Sequence, residues 1–146
     1  MLFRSNATNY GYIQHTGTNL AVTNVQAGNI DLYTSNLLRA TLDSSGNLGL
    51  GVTPSAWSSS IKASQVGATS YGSVVDLGNG VTSFGSNFYN DGGNKYIKAS
   101  SAYPVQYLQD TTNGNHTWRI ASAGTAGNAI SFTQAMTLDE IERAHV

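Results

Sequence analysis

The stretch from Leu37 to Pro54, LLRATLDSSGNLGLGVTP, constrains the fold more than any other part of the chain. Leu38-Arg39-Ala40-Thr41-Leu42 alternates, Asp43-Ser44-Ser45-Gly46-Asn47 interrupts, and Leu48-Gly49-Leu50-Gly51-Val52 alternates again before Pro54. Successive side chains of a strand point to opposite faces, so a period of two predicts a strand with one buried face. Asp, Ser, Gly and Asn favour turns because they accept positive φ or hydrogen-bond their own backbone. The segment predicts strand, tight turn, strand. Gly49 and Gly51 fall on the face opposite Leu48, Leu50 and Val52. A face with hydrogens in place of side chains predicts the close approach of another chain's backbone.

Part of this unit returns. Ala40-Thr41-Leu42-Asp43 is echoed by Met136-Thr137-Leu138-Asp139, and Gly28-Asn29-Ile30-Asp31-Leu32-Tyr33-Thr34 by Gly127-Asn128-Ala129-Ile130-Ser131-Phe132-Thr133. Two echoes in the same order predict a repeated β module. The chain divides into an N-terminal β module, residues 1–54, a Ser/Gly-rich surface crossing, residues 55–72, and a C-terminal β module, residues 73–146. Alternation and turn residues predict strands over 10–14, 19–23, 29–34, 37–42 and 47–52 in the first module. In the second they predict strands over 73–77, 81–85, 86–90, 95–99, 105–109, 116–121, 128–133 and 134–139. Gly78-Asn79-Gly80 and Asp91-Gly92-Gly93-Asn94 supply the positive φ that hairpin turns require. The tail, Glu140 to Val146, reads equally as a helical turn or one more strand.

Ser, Thr, Asn and Gly number 17, 15, 14 and 16 among 146 residues, a composition of turns and β surface rather than of helix. Leu, Ile, Val and Phe make up about a fifth, near the limit below which chains fail to fold. High net charge usually accompanies that failure, and here the net charge is −1. Ordering a residue costs about 1.5 kcal/mol. A chain so poor in aliphatics therefore predicts an oligomer in which several copies share a core and pair their strand edges. Lys and Arg total 7 and form no cluster, which argues against nucleic-acid binding. There is no cysteine, and no apolar run approaches the ~20 residues of a membrane span. The N-terminus turns polar at once, unlike a signal peptide, so action outside a cell predicts release by another route such as lysis.

TLDSSGNLGLGVTP at 41–54 resembles sequence found in bacteriophage tail fibres. So does the order of Phe88-Tyr89-Asn90-Asp91-Gly92, then Trp118-Arg119-Ile120-Ala121-Ser122-Ala123-Gly124-Thr125-Ala126-Gly127-Asn128-Ala129-Ile130, then Met136-Thr137-Leu138-Asp139. Together these span more than half the chain. The resemblance implies an all-β, elongated meander of short strands, intertwined as a homotrimer in the manner of a β-prism or triple β-helix. It implies a segment of the virion's distal tail, acting at the host exterior beside other tail proteins and contacting host polysaccharide or lipopolysaccharide. In many relatives an intramolecular chaperone follows and is removed by self-cleavage after assembly. Here the expected Ser-Gly-Asn-Leu-Gly after Asp139 is replaced by Glu140-Ile141-Glu142-Arg143-Ala144-His145-Val146, which predicts a mature product or a trimer formed by other means.

No catalytic residue, metal ligand set or cofactor loop emerges from the sequence. A glycoside hydrolase needs two carboxylates about 5 to 9.5 Å apart. Of the eight present, Asp43, Asp91 and Asp139 read as turn residues, while Asp31 and Asp76 fall within strands. His15, His116 and His145 lack metal-ligand spacing, and a zinc site would need copies gathered around a three-fold axis. Asn6-Ala7-Thr8 and Asn115-His116-Thr117 match the N-glycosylation pattern. Aromatic rings beside Asn, Asp and Lys suit carbohydrate, since ring faces stack on C–H bonds while polar neighbours meet hydroxyls. Trp57, Tyr89 and Tyr96 are the expected exposed, carbohydrate-binding rings, with packing in a thin core or between subunits as the competing role. Phe88 and Tyr89, being adjacent, should face opposite ways, one buried and one exposed. The expected function is adhesion of a trimeric tail fibre to host glycans; a ligand-free shaft and a polysaccharide depolymerase are the alternatives.

Overall fold

The computed structural model is all-β, with no helix among the described residues, which are 2–5, 8–67, 72–98 and 102–139. The tail after Asp139, expected as a helical turn or a strand, lies outside them, as do Asn6, Ala7 and His145. Strands β1 (Leu2–Ser5), β2 (Thr8–Thr16) and β3 (Asn19–Asn24) make a three-stranded antiparallel sheet. The rest of the chain builds one nine-stranded sheet. Its members are β4 (Ile30–Thr34), β5 (Leu37–Leu42), β6 (Leu48–Leu50), β7 (Lys62–Val66), β8 (Gly72–Asp76), β9 (Val81–Ser86), β12 (Val105–Asp110), β13 (Asn115–Ile120) and β14 (Thr133–Leu138). Between β9 and β12 the chain leaves the sheet to form a small hairpin, β10 (Phe88–Asn90) with β11 (Asn94–Tyr96). Neighbours in the large sheet follow chain order from β4 to β14, and β4 and β14 are its open edges.

Local chemistry accounts for the connections. Asp43 organises the β5–β6 turn: its Oδ1 accepts from the N–H of Ser45 (2.9 Å) and of Asn47 (2.8 Å), and its Oδ2 accepts from Asn47 Nδ2 (2.9 Å). Gly46 supplies the positive φ of 85° that the turn needs. Asn47 is buried and ties this turn to the next strand, its Oδ1 accepting from the N–H of Ala63 at 3.0 Å. The β8–β9 connection runs through Gly78, Asn79 and Gly80, all at positive φ.

The stretch read as a surface crossing does more than cross. Ile61, Ala63 and Gln65 alternate inward within IKASQV, so β7 forms and pairs in parallel with β6 and antiparallel with β8. It thereby joins strands from both halves of the chain in one sheet. The second echo is structurally unequal to the first. Residues 28–34 include an edge strand, whereas 127–132 fold beneath the sheet with one bridge, Ala129 to Lys95. The side of β13 away from β12 is taken by β14, and the apolar Ile130 and Phe132 are needed as core cover.

That core lies on one face of the large sheet only. Trp57, Ile61, Phe88, Tyr96, Ala121 and Ile130 pack with Ala63 and Val75 of the sheet, flanked by Leu77, Tyr89 and Phe132. Phe88 meets Trp57 and Phe132 edge-on, at centroid distances of 5.8 and 6.0 Å. Such geometry sets a ring's positive edge against its neighbour's negative face. Gly85 exists for Phe88: a Cβ there would lie 2.3 Å from its ring. Gly49 likewise allows a close approach, but by the chain's own continuation rather than by another chain. A Cβ at 49 would sit 2.0 Å from the carbonyl oxygen of Val52 and 2.9 Å from Pro54 Cδ.

Candidate functional site

The strand registers assign every sheet residue to a face, and the assignment inverts the usual polarity. The covered face carries Thr41, Gln65, Ser73, Ser83, Gln106 and Thr117, all buried. The uncovered face carries most of the sheet's leucines, while Leu108 is buried on the covered face between Ser83 and Thr117. One row crosses all nine strands as Ile30, Leu42, Leu48, Ser64, Val74, Phe84, Tyr107, Trp118 and Met136, each paired with the next. A second row, one pleat along, runs Leu32, Ala40, Leu50, Val66, Gly72, Ser86, Val105, Ile120 and Thr133. A third row is polar in its centre: Lys62, Asp76, Thr82, Gln109 and His116.

Eleven large apolar residues of this face are between 36 and 59% exposed, from Leu48 at the low end to Leu32 at the high end. Scattered surface hydrophobics are ordinary, whereas a contiguous apolar sheet marks an interaction surface. The three-stranded sheet repeats the theme, since Ile13, Val22 and Leu20 share one face and are exposed.

The aromatic part of the face is a cluster that the sequence reading did not single out. Tyr107 stands between Phe84 (centroids 6.2 Å) and Trp118 (5.0 Å), and stacks on the His116 ring at 5.8 Å and 10°. The Tyr107 hydroxyl is hydrogen-bonded to His116 Nδ1. Phe84, Val105, Trp118 and Ala135 help to line a shallow hollow of about 310 Å³ beside it. The signal was present in the sequence as Phe84, Tyr107 and Trp118 at alternating strand positions. Only the register, Phe84 to Tyr107 to Trp118, brings them side by side.

The rings expected to be exposed are placed otherwise. Trp57 is 5% exposed and Tyr96 8%. The indole Nε1 of Trp57 donates to Gln65 Oε1 at 3.3 Å, and the Tyr96 hydroxyl donates to the carbonyl of Ser122 at 2.8 Å. Gly124 makes room for the Tyr96 ring, 2.5 Å from where its own Cβ would be. Tyr89 is half-buried and sits edge-on to Trp57 at 6.4 Å, so it flanks the core that holds Phe88 rather than standing free on the far face. The physical reason is the polar underside of the sheet. Its threonines, serines and glutamines supply little apolar surface, so these rings supply it from the crossing and the small hairpin.

The carboxylates hydrogen-bond to backbone N–H groups and to neighbouring side chains. Asp31 Oδ1 accepts from the Thr41 hydroxyl (2.8 Å), Asp76 from the N–H of Gly78 (2.8 Å), and Asp110 from Thr112 and Asn113. Hydrogen bonds from the Asn113 side chain and then its backbone hold the Asp110 carboxyl below its ordinary value. Among the described residues no three His, Asp or Glu side chains gather as a metal site. His15 is exposed on β2 of the three-stranded sheet, whereas His116 lies on β13 of the nine-stranded one. Among the described residues no helix is long and apolar enough to cross a membrane. No family model, curated protein or solved structure matches this chain.

Proposed function

We propose that this chain is a segment of a bacteriophage tail fibre or spike, assembled as a homotrimer and presented at the virion tail to host-surface polysaccharide or lipopolysaccharide. The observation that carries the reading is the sheet's apolar, uncovered face backed by a polar, covered one. A monomer gains nothing from leucines arranged that way; an assembly gains a shared interior. The phage-like string at 41–54 supports the same reading, since it holds the end of β5, the Asp43 turn and β6, and so contributes Leu42, Leu48 and Leu50 to that face. Three copies on one axis would let weak contacts with a repetitive surface add up.

A second reading, a shaft that spaces the tip and binds no glycan, is favoured by the burial of Trp57 and Tyr96. Two measurements test the pair. Light scattering of the purified chain should return three times 15.4 kDa; a monomer would overturn the assembly reading altogether. The trimer, applied to an array of bacterial surface polysaccharides, should be retained on a subset. An intact trimer retained on none would favour the shaft.

A further inference from the structure

We infer that the uncovered face is the interior of the trimer, with the strands lying across the three-fold axis and the two apolar rows running along it. The inference rests on the homotrimer proposed above and adds which surface meets which. The occupant of the face is the same face of two further copies of this chain.

Three features of the face support this. The first is size. Eleven side chains at these exposures present on the order of 1,000 Å², against about 300–600 Å² for the largest apolar patch of an ordinary monomer and about 800 Å² per partner in a stable interface. The second is anatomy. The first row is apolar except at Ser64 and the second except at Gly72, Ser86 and Thr133, and the row of Lys62, Asp76, Thr82, Gln109 and His116 lies to one side of them. An apolar centre with a polar rim is how protein interfaces are built. The third is the underside, already closed by Trp57, Phe88 and Tyr96, so only one face of the sheet remains to be covered.

Geometry decides the direction of the strands. Sheets pack about 10 Å apart, so three of them around an axis each stand about 5 Å from it. A triangle of that inner radius has sides of about 17 Å, or about five residues at ~3.4 Å each. Every strand of the large sheet except β6 has five or six residues. Strands across the axis therefore fill a triangular prism about 40 Å long, nine strands at ~4.8 Å. Strands along the axis would make sides of about 43 Å and leave a hollow about 12 Å in radius, which these side chains cannot fill. In the first arrangement the row through Leu48, Val74 and Phe84 lies nearest the axis, with the second apolar row on one side of it and the polar row on the other, toward the corners, where water reaches Lys62 and His116.

The test places a charge in each row, Val74→Glu in one and Leu50→Glu in the other, in the full chain. The expected result is loss of the trimer, a threefold fall in mass, with the β circular-dichroism signal kept. Variants that stay trimeric at the wild-type mass would overturn the inference while leaving the homotrimer standing. A wild-type monomer would instead sink the homotrimer reading first. Should both variants fail to fold, single cysteines in this cysteine-free chain decide the matter. Val74→Cys should resist maleimide in the native assembly, while Thr18→Cys, exposed in the β2–β3 turn, labels freely. Equal labelling of the two would overturn the inference.

Discussion

Gly49 shows how one residue type can be required by its own neighbours. The chain turns back after β6, and the carbonyl of Val52 occupies the space a side chain would use. Gly49→Ala must push that carbonyl and Pro54 away, so a loss of at least about 2 kcal/mol is expected, in the range of overpacking and strain. A urea melt against wild type checks it. Asn47 poses the complementary case. Its side chain satisfies the buried N–H of Ala63 and clasps Asp43. Asn47→Ala leaves that N–H without a partner and should cost about 1–3 kcal/mol by the same measurement. At Asp110 the consequence is one of pH. Its folded carboxyl titrates below the ordinary 3.8, because Asn113 donates to the charged form. A lowered folded value adds stability above the unfolded value, lost as pH falls through the folded one. The Asn113 amide should therefore shift in NMR spectra with a midpoint below that ordinary value, and a midpoint at or above it would contradict the assignment.

Among the elements, β5 and β14 invite comparison because their sequences match. The match holds in the strand itself: Ala40 and Met136, like Leu42 and Leu138, point to the uncovered face, and Thr41 and Thr137 to the covered one. It fails in the partner strand. β5 lies between β4 and β6, whereas β14 pairs with β13 and stands at an edge. Local pattern sets how a strand faces; which strand it pairs with depends on what else must be covered. The crossing teaches the same lesson. Its Trp57 sits under the sheet because the covered face is polar, and Trp57→Ala should cost about 3–5 kcal/mol as a large cavity opens beside Phe88.

At the scale of the whole molecule, the two faces of one sheet set the behaviour. The two apolar rows contain no charged side chain, so an assembly made through them should be insensitive to ionic strength. A trimer mass unchanged from low salt to 1 M, where the Debye length is about 3 Å, is the expected outcome. Salt-induced dissociation would point instead to pairing between the charged margins. Much of this was legible beforehand. The all-β class and nearly every strand from residue 8 to residue 120 follow from alternation and turn residues, because a strand's two-residue period is a local property. β7 escaped notice because its inward side chains, Ala63 and Gln65, are small or polar and carry no hydrophobic signal. The exposure expected of Trp57 and Tyr96 is not found for a related reason: an aromatic ring looks the same from sequence whether the side it lies on is covered or open.

By itself, the sequence determined that strands would form, where most of them turn, and that two kinds of residue would alternate along them. It also held the shortage of aliphatics that makes a solitary chain hard to stabilise. Only the tertiary structure decided which set is covered. The crossing and the small hairpin lie on the threonine and glutamine side, and most of the sheet's leucines are left on the other. Facing is a relation between distant segments, set by where Trp57, Phe88 and Tyr96 find room to pack, and no local pattern contains it.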